Sequence, residues 1–324
     1  MTDVTADYLA LKRSVAAVRV PRDVIRVFGA DAVSFLQGQI SQDVSNLQPG
    51  ESRLALILEP QGKVDAWVRV WGRGQSDEIL IDCEGGSGQL VLDRLNRFRM
   101  RVKTELELLN WQCVSLRGPD CPAVDSPGLA AELKGEVAWP GTKGLDLLGP
   151  QVSLPEGMHV AGLAAFDSVR IEAGWPAMGS ELGAQLEPKV IPAEAGQWLI
   201  DASVSFTKGC YTGQELVARV DSRGNNTPRN LRGLVISSNV LPPVGAQIFV
   251  DEQLRGTITS VGESLDLRAP VALGYVHRSV EVPAQALLRW PAVGGVPAGE
   301  VVAQIRELPL LPASTVAEFA SEPE

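Results

Sequence analysis

From Leu231 to Ile305, glycine and proline cut the chain into short apolar runs that suit a small, self-contained β unit. The runs are Leu231–Ser237, Gln247–Val250, Arg255–Val261, Val271–Val276, Ala286–Trp290 and Val301–Ile305. Six short strands in succession, each bounded by turn residues, predict a small β-barrel or sandwich. The polar, turn-rich stretch Asp221–Asn230 marks its boundary.

Upstream the pattern is mixed. Val24–Phe28 reads as a strand, followed by a helix capped by Asp31 with Ala32, Phe35, Leu36 and Ile40 on one face. Arg53–Leu58 and Val64–Trp71 form a predicted hairpin around Pro60-Gln61-Gly62, and Val64, Ala66, Val68 and Val70 alternate along its second arm. Ile79–Cys83 is a further strand, a helix follows from about Gln89 to Arg97, and Val102–Leu109 alternates again. The Pro- and Gly-rich stretch from Pro119 to Gly157 gives no assignment. A helix resumes near Ala161 and runs through Phe166, Val169 and Arg170 to Glu172, ending at Gly174. Antiparallel strands with helices between them predict α+β layers. At 324 residues the chain suits two or three domains. The expected division is an α+β region over 1–225, in two portions with 53–109 as the second, a barrel over 226–311 and an acidic flexible tail over 312–324.

Charge and residue usage exclude several classes. A net charge of −10 argues against direct nucleic-acid binding, which needs a basic footprint. With two histidines, His159 and His277, a His-based metal site or a Ser-His-Asp triad is not expected. Cys83, Cys113, Cys121 and Cys210 form no C-x-x-C pair, and the first three read as small buried apolar residues; no metal site is predicted. The first twenty residues lack an apolar signal core, and no run approaches the ~18 residues of a membrane span. The expected location is the cytoplasm, away from membranes, with reduced thiols.

The chemistry concentrates in Lys208-Gly209-Cys210-Tyr211-Thr212-Gly213-Gln214-Glu215. Thr212 and Glu215 have capping-box spacing at the start of a helix. Cys210 then precedes a helix N-terminus, and Lys208 adds a positive charge; both favour a thiolate. The flanking glycines allow a close approach or positive φ.

This segment resembles the signature of YgfZ-type folate-binding proteins, relatives of the aminomethyltransferase (T protein) of the glycine cleavage system. Gly29-Ala30-Asp31-Ala32 with Phe35–Gln39 and Asp43 resembles the family's N-terminal block, Arg170–Gly174 its middle block, and Gly256–Ser260 with Ala272–Val276 its barrel. The resemblance implies a ring-like arrangement of two ferredoxin-like α+β portions around a central opening for tetrahydrofolate, plus a C-terminal β-barrel. It implies an accessory role in iron–sulfur cluster assembly or repair, indirectly supporting tRNA modification. The partners would be a folate and iron–sulfur proteins or their assembly factors. The T protein carries Lys-x-Asp-Phe-x-Gly where this chain has Lys208-Gly209-Cys210-Tyr211-Thr212-Gly213, so sulfur replaces a carboxylate. That departure favours sulfur chemistry over a folate-dependent one-carbon (aminomethyl) transferase, which stays as the alternative, and a non-catalytic interaction module is a third reading.

On this resemblance Cys210 is the reactive group, Lys208 its electrostatic support, and Tyr211 adds packing and a hydroxyl. Glu172 accepts the pterin's paired N–H groups, and Phe166 is the stacking platform, with Trp175 and Trp198 nearby. Gln39 and Asp43 line the opening, although Asp43 also suits a local cap. Arg219 meets the folate tail; Arg223 and the series Arg94, Arg97 and Arg101 are further candidates for it.

Overall fold

The structure is a computed structural model that describes residues 4–74, 77–137, 139–222, 224, 226–292 and 295–312. Along the chain run α1 (Val4–Arg13), β1 (Ala16–Arg19), β2 (Arg22–Phe28), α2 (Ala32–Gln39), β3 (Ser52–Leu58), β4 (Val64–Gly72), β5 (Glu78–Glu84) and α3 (Gly88–Arg97). Then follow β6 (Glu105–Leu109), β7 (Gln112–Arg117), β8 (Leu133–Glu136), β9 (Gly144–Gly149), α4 (Leu163–Ala173), α5 (Pro192–Ala195), α6 (Gln197–Ser203) and α7 (Gln214–Ser222). The C-terminal strands are β10 (Arg229–Ile236), β11 (Gln247–Val250), β12 (Gln253–Ser264), β13 (Ala269–His277), β14 (Ala284–Trp290) and β15 (Gly299–Arg306).

Three sheets organise these elements. One is five-stranded, in the order β3-β4-β5-β2-β6; a second is four-stranded, β1-β7-β9-β8; the third closes as a barrel, β10-β13-β12-β11-β14-β15. The fold is thus α+β with a closed six-stranded C-terminal barrel, as the strand spacing implied. Leu234, Ile248, Ile258, Ala272, Leu288 and Ile305 fill the barrel interior.

The expected division of the α+β region differs in one respect. Strand β2 lies between β5 and β6, so 53–109 shares a sheet with residues 22–28 and is not a portion by itself. The second sheet draws β1 from the N-terminus and β7–β9 from 112–149, a stretch that includes most of the Pro- and Gly-rich segment. These pairings join segments far apart in sequence, which local periodicity does not report. The tail beyond Pro312 lies outside the described residues.

Strand β4 sets up the site. It is buried along its whole length. Ala66, Val68 and Val70 pack with Phe35 and Leu36 of α2 and Val91 and Leu95 of α3. Pleating turns Asp65, Trp67, Arg69 and Trp71 to the opposite face. A charged residue buried there needs partners, because an unpaired buried charge is costly.

Candidate functional site: a cavity between the two sheets

Those partners build the floor of an internal cavity. Arg69 on β4 reaches Asp82 on β5 through Nε at 2.9 Å and Asp146 on β9 through Nη1 at 3.0 Å. Arg22 joins Asp82 through Nε at 2.7 Å, and Arg117 joins Asp146 through Nη1 at 3.0 Å. The Ser115 hydroxyl donates to Asp146 at 2.6 Å, and Trp71 Nε1–H donates to Asp82. This network ties the two sheets together. Burial opposes ionisation of both aspartates, yet the guanidiniums hold their pKa values below the ordinary carboxylate range.

The cavity, of about 240 Å³, lies among β2, β4, β5, β7, β9 and α4. Trp67, Trp139, Phe166 and Trp175 supply aromatic walls, and the ion-paired guanidiniums of Arg22, Arg69, Arg117 and Arg170 line it beside Glu84, Asp146 and Asp167. Trp139 and Phe166 have ring centroids 4.8 Å apart, and Trp67 and Trp175 lie 5.0 Å apart. Trp198, 36% exposed, stacks on Trp175 at 5.0 Å and carries the aromatic surface outward. The Arg117 guanidinium covers the Trp139 ring at 4.7 Å. Such a chamber accepts a flat, polarised ring.

The expected site residues divide between this chamber and other places. Phe166 and Trp175 line the cavity. Glu172 does not: its side chain accepts hydrogen bonds from Tyr8 and from Lys12 Nζ at 2.9 Å, fastening α4 to α1. It lies two positions past Arg170, so helical geometry turns it away from the face that Phe166, Asp167 and Arg170 present to the cavity. Glu172 is therefore not placed to receive a ring in the cavity.

Gln39, Asp43 and Lys208 gather at the C-terminal end of α2, away from the cavity lining. Lys208 Nζ donates to the carbonyls of Gln37 (2.7 Å), Ile40 (2.7 Å) and Gln42 (2.9 Å), a cation on helix-end oxygens. Burial lowers the Lys208 pKa to about 8, against the pull of Asp43. Asp43 accepts from Ser45 Oγ at 2.7 Å, Ser45 N at 3.0 Å and Gln37 Nε2 at 2.9 Å, and these bonds lower it to about 2. It is a local cap, and Gln39 buries its Oε1 without a hydrogen-bond partner.

The signature loop also departs from expectation. Helix α7 opens at Gln214, and the reciprocal bond at its start runs from the Tyr211 N–H to Gln214 Oε1 at 3.3 Å, in place of a Thr212–Glu215 box. Cys210 is exposed and lies outside the cavity lining. Lys208 is committed to the end of α2 through its three carbonyl contacts. Tyr211 packs in the core beside Trp67 and Val204, and burial pushes its hydroxyl up to about 12. Gly213 takes φ +85° and touches the β3–β4 turn, where an added Cβ would fall 2.5 Å from the Glu59 carbonyl oxygen. Gly209 has open space around it.

Arg219 is exposed on α7, and Arg223 lies outside the described residues. Arg94 is buried against Asp65 (Nε, 3.2 Å) and the Leu58 carbonyl (Nη2, 3.1 Å), which leaves Arg97 and Arg101 exposed without it. Sequence reasoning missed Arg22, Arg69, Arg117, Trp67 and Trp139. The alternation of Asp65, Trp67, Arg69 and Trp71 opposite the apolar face of β4 was the available signal.

Together, the barrel and the two-sheet chamber define an α+β protein of the aminomethyltransferase fold. The crystal structure of the glycine cleavage system aminomethyltransferase T from Bartonella henselae superimposes with a TM-score of 0.74, covering 95% of this chain and 89% of that one at 18% identity. Residues 229–304 match the glycine cleavage T-protein C-terminal barrel domain. A Haemophilus influenzae protein described as uncharacterized is 28% identical over 73% of this chain and 80% of its own length. A "tRNA-modifying protein YgfZ" from Pectobacterium carotovorum is 28% identical over 73% of this chain and 75% of its own. An aminomethyltransferase from Streptomyces avermitilis is 26% identical, covering 81% and 78%. Over most of its length the chain is thus similar both to a YgfZ-type protein and to aminomethyltransferases. Among the described residues, no helix is long and apolar enough to cross a membrane.

Proposed function

We propose that this chain binds a tetrahydrofolate-type ligand, with the pterin ring in the chamber between the sheets, and acts as an accessory protein rather than an aminomethyltransferase. The observation that carries the reading is the chamber itself: aromatic walls for a flat ring, with guanidiniums for its oxygen and nitrogen acceptors. The aminomethyltransferase and YgfZ-type relatives support a folate-type ligand. A cavity of about 240 Å³ suits the bicyclic head and leaves the glutamate tail outside. The tail would then lie along the surface, where exposed arginines such as Arg219 are available.

Cys210 supplies the second half of the reading. An exposed thiol on the signature loop, where the T protein has a carboxylate, supports work on sulfur or iron donated by a partner, within the assembly or repair of iron–sulfur proteins. One thiol cannot complete a four-ligand cluster site, so the partner would hold the cluster. Effects on tRNA modification would then be indirect, through cluster-dependent enzymes.

Cys210→Ala tests the division of labour. Unchanged folate affinity with lost activity of cellular iron–sulfur enzymes is the expected result. Turnover of an aminomethylated lipoyl donor that survives the substitution would overturn it in favour of the transferase. If neither quantity changes, Cys210 has no such role and a docking module is the better reading.

A further inference from the structure

With Glu172 committed to α1, another group must read the hydrogen-bonding edge of the ligand. Glu84 ends β5 on the same side of the strand as Asp82, and antiparallel register sets it opposite Arg22. Arg22 nevertheless directs Nε and Nη2 to Asp82. Of the other lining carboxylates, Asp146 pairs with Arg69 and Arg117, and Asp167 pairs with Arg170. Among the described residues, Glu84 is the cavity carboxylate with no ion pair within 4.0 Å. Its Oε2 accepts the Met178 N–H at 2.8 Å, which fixes the side chain at the wall where Met178 also touches the Trp67 backbone.

The geometry points to Glu84 as the side chain that reads the donor edge of the ring in this cavity: an amino group beside a ring N–H, as on the 2-amino-4-oxo half of a pterin. The inference rests on the folate reading and sharpens it. A carboxylate meets two parallel N–H donors in a fork, and such charge-assisted pairs are strong where water is excluded. Glu84 is otherwise an expensive group to keep here. Burial raises its pKa above the ordinary value, while Arg22 on β2, Arg170 on α4 and the Met178 N–H pull it down and Glu181 pushes it up. A ligand that donates two N–H bonds supplies the compensation that an ion partner would give elsewhere.

The test is calorimetric titration of the full chain with 5-formyltetrahydrofolate and with its 2-desamino counterpart. The wild-type protein should prefer the amino ligand by about 10- to 100-fold, the range set by hydrogen bonds to a charged group. Glu84→Gln, which keeps size but places an amide donor against the ligand's donors, should lose that preference while holding the desamino ligand as wild type does. Retained desamino binding also reports that the variant is folded; Glu84→Asp, with the charge kept, should preserve part of the preference. Acidification should erode the amino-ligand preference of the wild type, starting above the ordinary carboxylate range, and leave the Gln variant flat. Equal preference in wild type and Glu84→Gln overturns the role of Glu84 and leaves the folate reading standing. No binding of either ligand by wild type overturns both.

Discussion

Lys208 shows how a residue chosen for chemistry can be held by architecture. Its ammonium gathers three carbonyl oxygens at the end of α2, so Lys208→Met should leave them unpaired and cost about 3 kcal/mol in urea unfolding, the scale of losing hydrogen bonds to a charged group. A cost near zero would mean that water replaces the clamp. Gly213 and Gly209 separate in the same way. Gly213→Ala forces a side chain into positive φ and into the Glu59 carbonyl, and should lower stability by about 1–3 kcal/mol; Gly209→Ala should stay near zero. The thiols divide by exposure. A thiol reagent on the native protein should modify Cys210 quickly, Cys121 slowly, and Cys83 and Cys113 only after unfolding. Burial pushes Cys83 up to about 12 and Cys113 higher still, which removes the thiolate that reacts. Protection of Cys210 in this assay would contradict its exposed placement.

At the scale of elements, β4 and its partners decide the site. Asp146→Asn breaks a buried network shared by Arg69, Arg117 and Ser115, and should cost about 3–5 kcal/mol. The pH dependence follows from the same groups. Asp82 and Asp146 are held below their unfolded pKa values, so their contribution is full above the ordinary carboxylate range and is lost as pH falls toward their folded values. Acid unfolding of Asp146→Asn should therefore show a shallower slope below pH ~4 than wild type. Much of this layer was legible beforehand. The β3–β4 hairpin, β5, the C-cap of α4 at Gly174 with φ +71° and all six barrel strands follow from alternation and turn residues. Strand β1 did not, because it pairs with β7 about a hundred residues away, and β8 and β9 did not, because proline and glycine interrupt the alternation between 119 and 157. Phe166, picked out for its place six residues before Glu172 on the helix, does line the cavity. The placement of Glu172 could not be read, since whether a helical carboxylate faces a cavity or Tyr8 depends on how α1 docks.

Across the whole molecule, Arg170 links the chamber to the barrel. It lines the cavity, pairs with Glu181 at 3.2 Å and donates to Ser260 of β12 at 2.9 Å, while Ser260 and Tyr275 hold Glu181. Glu181→Ala should therefore lower both stability and ligand affinity, whereas a barrel folding independently of the chamber would leave affinity unchanged. The division between a ring-binding chamber and a remote exposed thiol is the central claim. It is tested most directly by tryptophan-fluorescence titration with 5-formyltetrahydrofolate, because Trp67, Trp139 and Trp175 all line the chamber. Saturable quenching in wild type, unchanged in Cys210→Ala and weakened about 3- to 10-fold in Phe166→Ala by loss of one aromatic contact, is the predicted result. No saturable quenching in wild type, or binding lost with Cys210 and kept without Phe166, would contradict the account.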